Sequence, residues 1–228
     1  MNNPDLIGSI LQQMKQHVSE SVDGDLPLWW RLRLWVRMKE AFGEESEVRR
    51  TLLAFYVFDR LIPAWRQANA SLRFRLIPDL HNYLARSHFL GFSSRDTLEA
   101  ASKDWGRSYE EFVCSVNWDK HDARFYVYDA GHFLLLRCRG EDDAYYSHWG
   151  LISRAFDDEN MPTELSLGDS YIWDVHFVGA MLAASGAPWQ ADICNPELRR
   201  RYWINWIENI VPLFTGDISA ARDVVWWG

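Results

Sequence analysis

The chain has 228 residues, 48% apolar and 25% charged, with a formal net charge of −8. That length suits one globular domain or two small ones with a sizeable core. The aromatic and aliphatic content excludes a disordered chain, and a pI near 5.4 argues against a nucleic-acid binder.

Helical periodicity dominates from the start. Ile7, Ile10, Leu11, Met14 and Val18 recur at helix-face spacing, with Asp5 placed to cap them. Asp25-Leu26-Pro27 predicts the start of a second helix, with Asp25 accepting orphan amide hydrogens. That helix should run to Phe42 and close at Gly43. Trp30, Leu34 and Met38 form its stripe, flanked by Arg33 and Arg37. A third helix opens at Ser46-Glu47. Leu52, Leu53, Phe55, Tyr56, Phe58, Leu61 and Ile62 make it apolar nearly all round, the mark of a central helix. Pro63 is expected to bend or break it.

Ile77 to Leu90 predicts a helix ending at Gly91. Ser94 caps another, with Leu98, Ala101 and Trp105 on one face, continued or restarted over Tyr109 to Val116. Ala123 to Arg139 admits two readings. Phe125-Tyr126-Val127-Tyr128 has high β-propensity, so short strands are the alternative. The run is long for a strand, and Val127, Ala130, Leu134 and Arg137 fit a helical stripe, so a helix is expected. Gly131 would then let a neighbouring helix approach closely. Asp142 to Phe156 reads as a helix with an acidic first turn, Asp157 to Gly168 as a loop, and Asp169 or Ser170 as the start of a helix through Ala184. Asn195-Pro196-Glu197 is the strongest local signal: cap, proline at the first helical position, then an acid. The helix it opens carries Tyr202, Trp203, Trp206, Ile207 and Ile210 and should stop near Pro212. Residues 1–228 therefore read as a single all-α domain of eight to ten helices.

The charge is unevenly placed. Between Glu141 and Asp174 stand nine acids and one base, Arg154, so 1 − 9 = −8. The rest has 24 − 1 = 23 bases against 32 − 9 = 23 acids and is neutral. Such a local field can steer a basic partner. No signal peptide and no uninterrupted apolar run of transmembrane length is visible, so the expectation is a cytoplasmic chain without membrane or nucleic-acid contacts. Cys114, Cys138 and Cys194 are odd in number and widely spaced, which suggests buried thiols. The seven histidines make no metal-binding pair of known spacing, and no nucleophile elbow, phosphate loop or dinucleotide fingerprint occurs. No catalytic, cofactor-binding or metal-ligating residue is therefore assigned. Arg199-Arg200-Arg201 is expected to pair with nearby acids. Arginine outnumbers lysine 20 to 4, which suggests internal arginine–carboxylate–aromatic contacts. Most of the 13 tryptophans should fill the core, and the terminal Trp226-Trp227 must dock on this chain or on a partner.

Three segments carry a resemblance. Asp59-Arg-Leu-Ile-Pro63-Ala-Trp65 resembles the Asp-Arg-x-Leu-Pro-x-Trp helix of immunity protein family 5 in bacterial polymorphic toxin systems. Pro78, Leu80 and Leu84 look like its next helix. Ala183-Ala-Ser-Gly186-Ala-Pro-Trp189 and Arg201-Tyr-Trp203-Ile-Asn-Trp206, with Pro212, resemble its closing pair. Ile62 and Tyr202 stand where leucine and phenylalanine are usual. The resemblance implies an all-α, non-catalytic protein that binds and neutralises a cognate toxin. On that expectation Glu141, Asp142, Asp143, Asp157, Asp158 and Glu159 are the candidate contacts to a basic toxin such as a nuclease. The alternatives are a metal-dependent or acid–base enzyme, or a helical adaptor.

Overall fold

The computed structural model describes residues 4–68, 76–101, 103, 126–140, 174–186 and 192–227, and every regular element among them is helical. In chain order these are α1 (Pro4–Glu20), α2 (Leu28–Phe42), α3 (Glu45–Ala68), α4 (Ile77–Phe89), α5 (Val127–Arg139), α6 (Val175–Ala183) and α7 (Pro196–Asn205). A π-helical turn (Trp206–Ile210), α8 (Val211–Thr215) and α9 (Ile218–Trp227) follow. Residues 95–101 are also helical, with the Ser94 hydroxyl accepting from the Thr97 amide as expected of a cap.

The third helix is central, as its all-round apolarity predicts. It packs against α2, α4, α5, α6, α8 and α9. Leu52, Leu53, Phe55, Phe58, Leu61, Ile62 and Trp65 are all buried along it. Each such side chain contributes about 1.5–3 kcal/mol of transfer free energy, so α3 anchors the core. The helix does not end at Pro63: it continues to Ala68. Pro63 is solvent-exposed, so the carbonyl it leaves unpaired one turn back can be hydrated, which lowers the cost of an internal proline. Pro212 likewise lies within helical chain rather than at its end, which comes at Gly216. Just before it, the Val211 amide donates to the Trp206 carbonyl, five residues back. That wider π-helical turn accommodates the proline ring.

The ambiguous run around residue 127 is helix, and its whole stripe of Val127, Ala130, Leu134 and Arg137 is buried. Residues 123–125 lie outside the described part. Gly131 does what its position suggested. A Cβ there would strike the His81 ring of α4 and stand 3.2 Å from Phe58 Cζ of α3. Gly131→Ala should therefore destabilise: overpacking costs about 1–3 kcal/mol and outweighs about 1 kcal/mol of propensity gained. Gly8→Ala, where a Cβ meets nothing within 4 Å, should stabilise by the propensity term alone. Urea unfolding of the two variants should move in opposite directions.

The second helix closes at Gly43, in the left-handed region at φ +58°, as expected. Its start differs from expectation. No side chain caps it, and Asp25 accepts from Trp203 Nε1 of α7 at 2.9 Å instead. The Asn195 cap holds: its side chain accepts from the Glu197 and Leu198 amides at 3.0 and 3.1 Å.

Candidate functional site

The six acids expected to meet a partner, Glu141, Asp142, Asp143, Asp157, Asp158 and Glu159, lie outside the described residues, as do Trp189 and the helix expected over Asp142 to Phe156. The last acid of that run is described, and it is not a surface charge. Asp174 is 6% exposed. The helix expected to open at Asp169 or Ser170 is described from Val175, and Asp174 is its cap. One carboxylate oxygen accepts from the His176 and Phe177 amides at 3.0 and 2.8 Å, satisfying two orphan donors of α6. The other accepts from Arg31 Nε and Nη2 at 3.3 and 3.0 Å.

Arg31 is itself 1% exposed. Its remaining terminal nitrogen donates to the Leu26 carbonyl at 2.9 Å, and its guanidinium lies over the Phe177 and Trp203 rings. This is an arginine–carboxylate–aromatic contact of the kind the composition suggests. Burial alone would raise the Asp174 carboxyl, but Arg31, His176 and the Phe177 amide outweigh it and hold it below the ordinary carboxylate range. His176 stands beside them. Trp206 Nε1, a donor only, points at His176 Nδ1 at 3.3 Å, so that nitrogen carries no proton. Burial pushes the His176 imidazole down to about 4, against the pull of Asp174 and with help from Arg31 and Arg50.

Asp174, Val175 and His176 line a cavity of about 30 Å³ together with Trp35, Arg50, Ala54, Phe133, Leu134 and Arg137. That volume is enough for one water and far below a substrate pocket. Arg137 pairs with Glu47, and Arg50 lies over the Trp35 ring. Glu47 pairs with both Arg50 and Arg137, and Asp174 with Arg31, so the ionic groups here join α2, α3, α5 and α6. Among the described residues no group of three or more His, Cys, Asp or Glu side chains could hold a metal ion. Asp119, His121 and Asp122, a polar loop by composition, lie outside the described residues. Cys138 and Cys194 are half-buried rather than buried.

Several of the motif residues are structural joints. Asp59 accepts from Asn82 Nδ2 at 2.7 Å and pairs with Arg86, tying α3 to α4. Arg86 reaches on to the Val225 carbonyl and stacks on Trp226. Trp226 docks beside Phe55 and Phe89, so one of the two terminal tryptophans is anchored on this chain. Trp65, Trp203 and Trp206 are fully buried. Within the arginine run, Arg200 pairs with Glu197 and also donates to the Val18 and Ser21 carbonyls. Arg199 is buried against Cys194, while Arg201 is exposed.

Two groups escaped the sequence reading. Burial pushes the Asp129 carboxyl of α5 up to about 7, and burial pushes His81 down to about 3. Arg31 could have been noticed. It falls on the same face as Leu34, Trp35 and Met38, at i+3, i+4 and i+7, which places a cation in a buried stripe. Asp174 had no such signal, because its partner lies 143 positions away.

No helix of the described chain is long and apolar enough to cross a membrane. A search of curated proteins gives no match. A family model described as immunity protein Imm5 matches residues 11–213.

Proposed function

The chain belongs to the immunity protein Imm5 family, and from that membership we propose that it neutralises a cognate bacterial toxin by stoichiometric binding, without catalysis. The observation that carries this reading is the family match across most of the chain. The described polar clusters join helices, and the cavity beside Asp174, about 30 Å³, has room for a water rather than a substrate. We take residues 1–228 as a single domain acting in the cytoplasm.

The surface we assign to the toxin is the acidic segment, with Glu141, Asp142, Asp143, Asp157, Asp158 and Glu159 as contacts. Without Asp174, which is held internally by Arg31, that segment still has eight acids against Arg154. A local charge of that size attracts a basic partner, as a nuclease with a phosphate-binding face would be. Reversing all six charges should slow association about 10-fold or more at low salt and flatten its salt dependence. Stopped-flow binding at several ionic strengths checks this, and an unchanged on-rate would remove these residues from the interface. Co-expression with the toxin of the adjacent open reading frame tests the reading itself: growth should be restored and a one-to-one complex should co-purify.

A further inference from the structure

The cavity beside Asp174 is lined by hydrogen-bond donors. Of its described lining residues all but Phe133 are buried. Arg50, Arg137 and His176 line it at 5%, 9% and 5% exposure. Both arginines hold partners through their terminal nitrogens, Glu47 among them, while the Nε of each is buried without an acceptor. His176 takes the Trp206 indole hydrogen on Nδ1, so its own proton sits on Nε2. Trp35 adds an indole N–H, a donor only.

Asp174 is the one acceptor side chain in the described lining, and its oxygens are taken. One accepts from the His176 and Phe177 amides and the other from two nitrogens of Arg31. Its backbone carbonyl accepts from the Val178 amide. A water has two hydrogens to place, and no described lining side chain is left to take them. A halide accepts from several N–H groups and donates nothing. At about 30 Å³ the cavity fits a body the size of a water and is too small for phosphate, sulfate or a carboxylate ligand. The local potential has the matching sign. Burial first, then Arg31 and Arg50, hold the His176 imidazole down at about 4 against the pull of Asp174.

We propose that the cavity between α2, α3, α5 and α6 is a buried halide site, which takes chloride on the N–H groups of Arg50, Arg137 and His176. It is independent of the immunity reading. The ion ties α3, α5 and α6 through one shared acceptor, so it stabilises the folded chain wherever its concentration exceeds Kd.

The test is denaturant unfolding of the full chain at fixed ionic strength, with sodium gluconate exchanged for sodium chloride. The folded-to-unfolded ratio should rise as 1 + [Cl⁻]/Kd, about tenfold for each tenfold of chloride above Kd. Chloride-35 NMR linewidths, read on the folded chain, should broaden with wild type and narrow on adding bromide. Ala54→Leu fills the cavity from α3 and leaves every donor in place, so it should abolish both responses. Arg137→Met removes one donor and should move both to at least about 10-fold higher chloride; it carries the comparison if Ala54→Leu fails to fold. A ratio and linewidth that ignore chloride overturn the proposal, because no ion binds. Responses of wild-type size in folded Ala54→Leu, or in Arg137→Met, also overturn it, because the ion then binds elsewhere.

Discussion

Replacing Arg31 with methionine should destabilise the protein by about 3–5 kcal/mol. Methionine fills similar space between Phe177 and Trp203, so the loss is mainly electrostatic. Asp174 would keep its two amide donors but remain buried with no guanidinium. An uncompensated buried carboxylate is far costlier than an absent pair. Arg31→Met/Asp174→Asn should recover most of the loss, since asparagine still caps α6 and carries no charge. The pH dependence gives an independent check. In the wild type the folded-state pKa of Asp174 lies below its unfolded value of 3.8. Its contribution is therefore present above pH 3.8 and lost as pH falls through the folded value. In Arg31→Met burial acts unopposed by arginine, the folded pKa rises, and the sign inverts. Guanidinium unfolding of the single and double variants across pH measures both effects.

The second large effect is acid unfolding with a predictable slope. Burial pushes His81 down to about 3, and His132 and His176 to about 4, from an unfolded value of 6.5. Between about pH 4 and 6.5 the unfolded chain binds three protons that the folded chain does not. Their contribution to stability is complete above pH 6.5 and is lost as pH falls toward 4. Asp129 acts oppositely. With its pKa raised from 3.8 to about 7, the folded state holds a proton that the unfolded state releases. Three against one leaves two protons, a slope of at most about 2.7 kcal/mol per pH unit. Across that window the change rivals the whole stability of an ordinary domain. The half-buried His17 adds to this trend and Asp25 opposes it. Asp129→Asn removes the opposing proton, so it should steepen the acid limb toward about 4 kcal/mol per unit and raise stability at pH 8. Calorimetric midpoints from pH 4.5 to 8 test the slope and the effect of the variant together.

What could be read from the sequence was local. The Asn195 cap, the left-handed Gly43, the Ser94 cap and the stripe of residues 127–137 each involve groups a few residues apart, and each stands as expected. The helix ends expected at the prolines are absent for a reason outside local sequence. Pro63 faces solvent, and a π-helical turn precedes Pro212, so neither ends its helix. Asp25 reads as a cap because caps are local, yet its partner is Trp203, which arrives from α7. Asp174 counted toward a surface charge because nothing near it announces Arg31. One residue of α4 shows the converse difficulty. Leu80 belongs to a resemblance motif, but only packing reveals that it points away from the core. The motif tryptophans report the scaffold well, and they say nothing of which face meets a toxin, because a family pattern built on joints records the joints.

The claim that matters most is that this chain acts by binding. Isothermal titration of the purified chain into the inactivated toxin domain of the adjacent open reading frame tests it most directly. The account predicts a saturable one-to-one complex whose affinity falls with salt, and whose formation abolishes activity of the intact toxin in parallel. Absence of a complex, or protection at far below one chain per toxin, would contradict it.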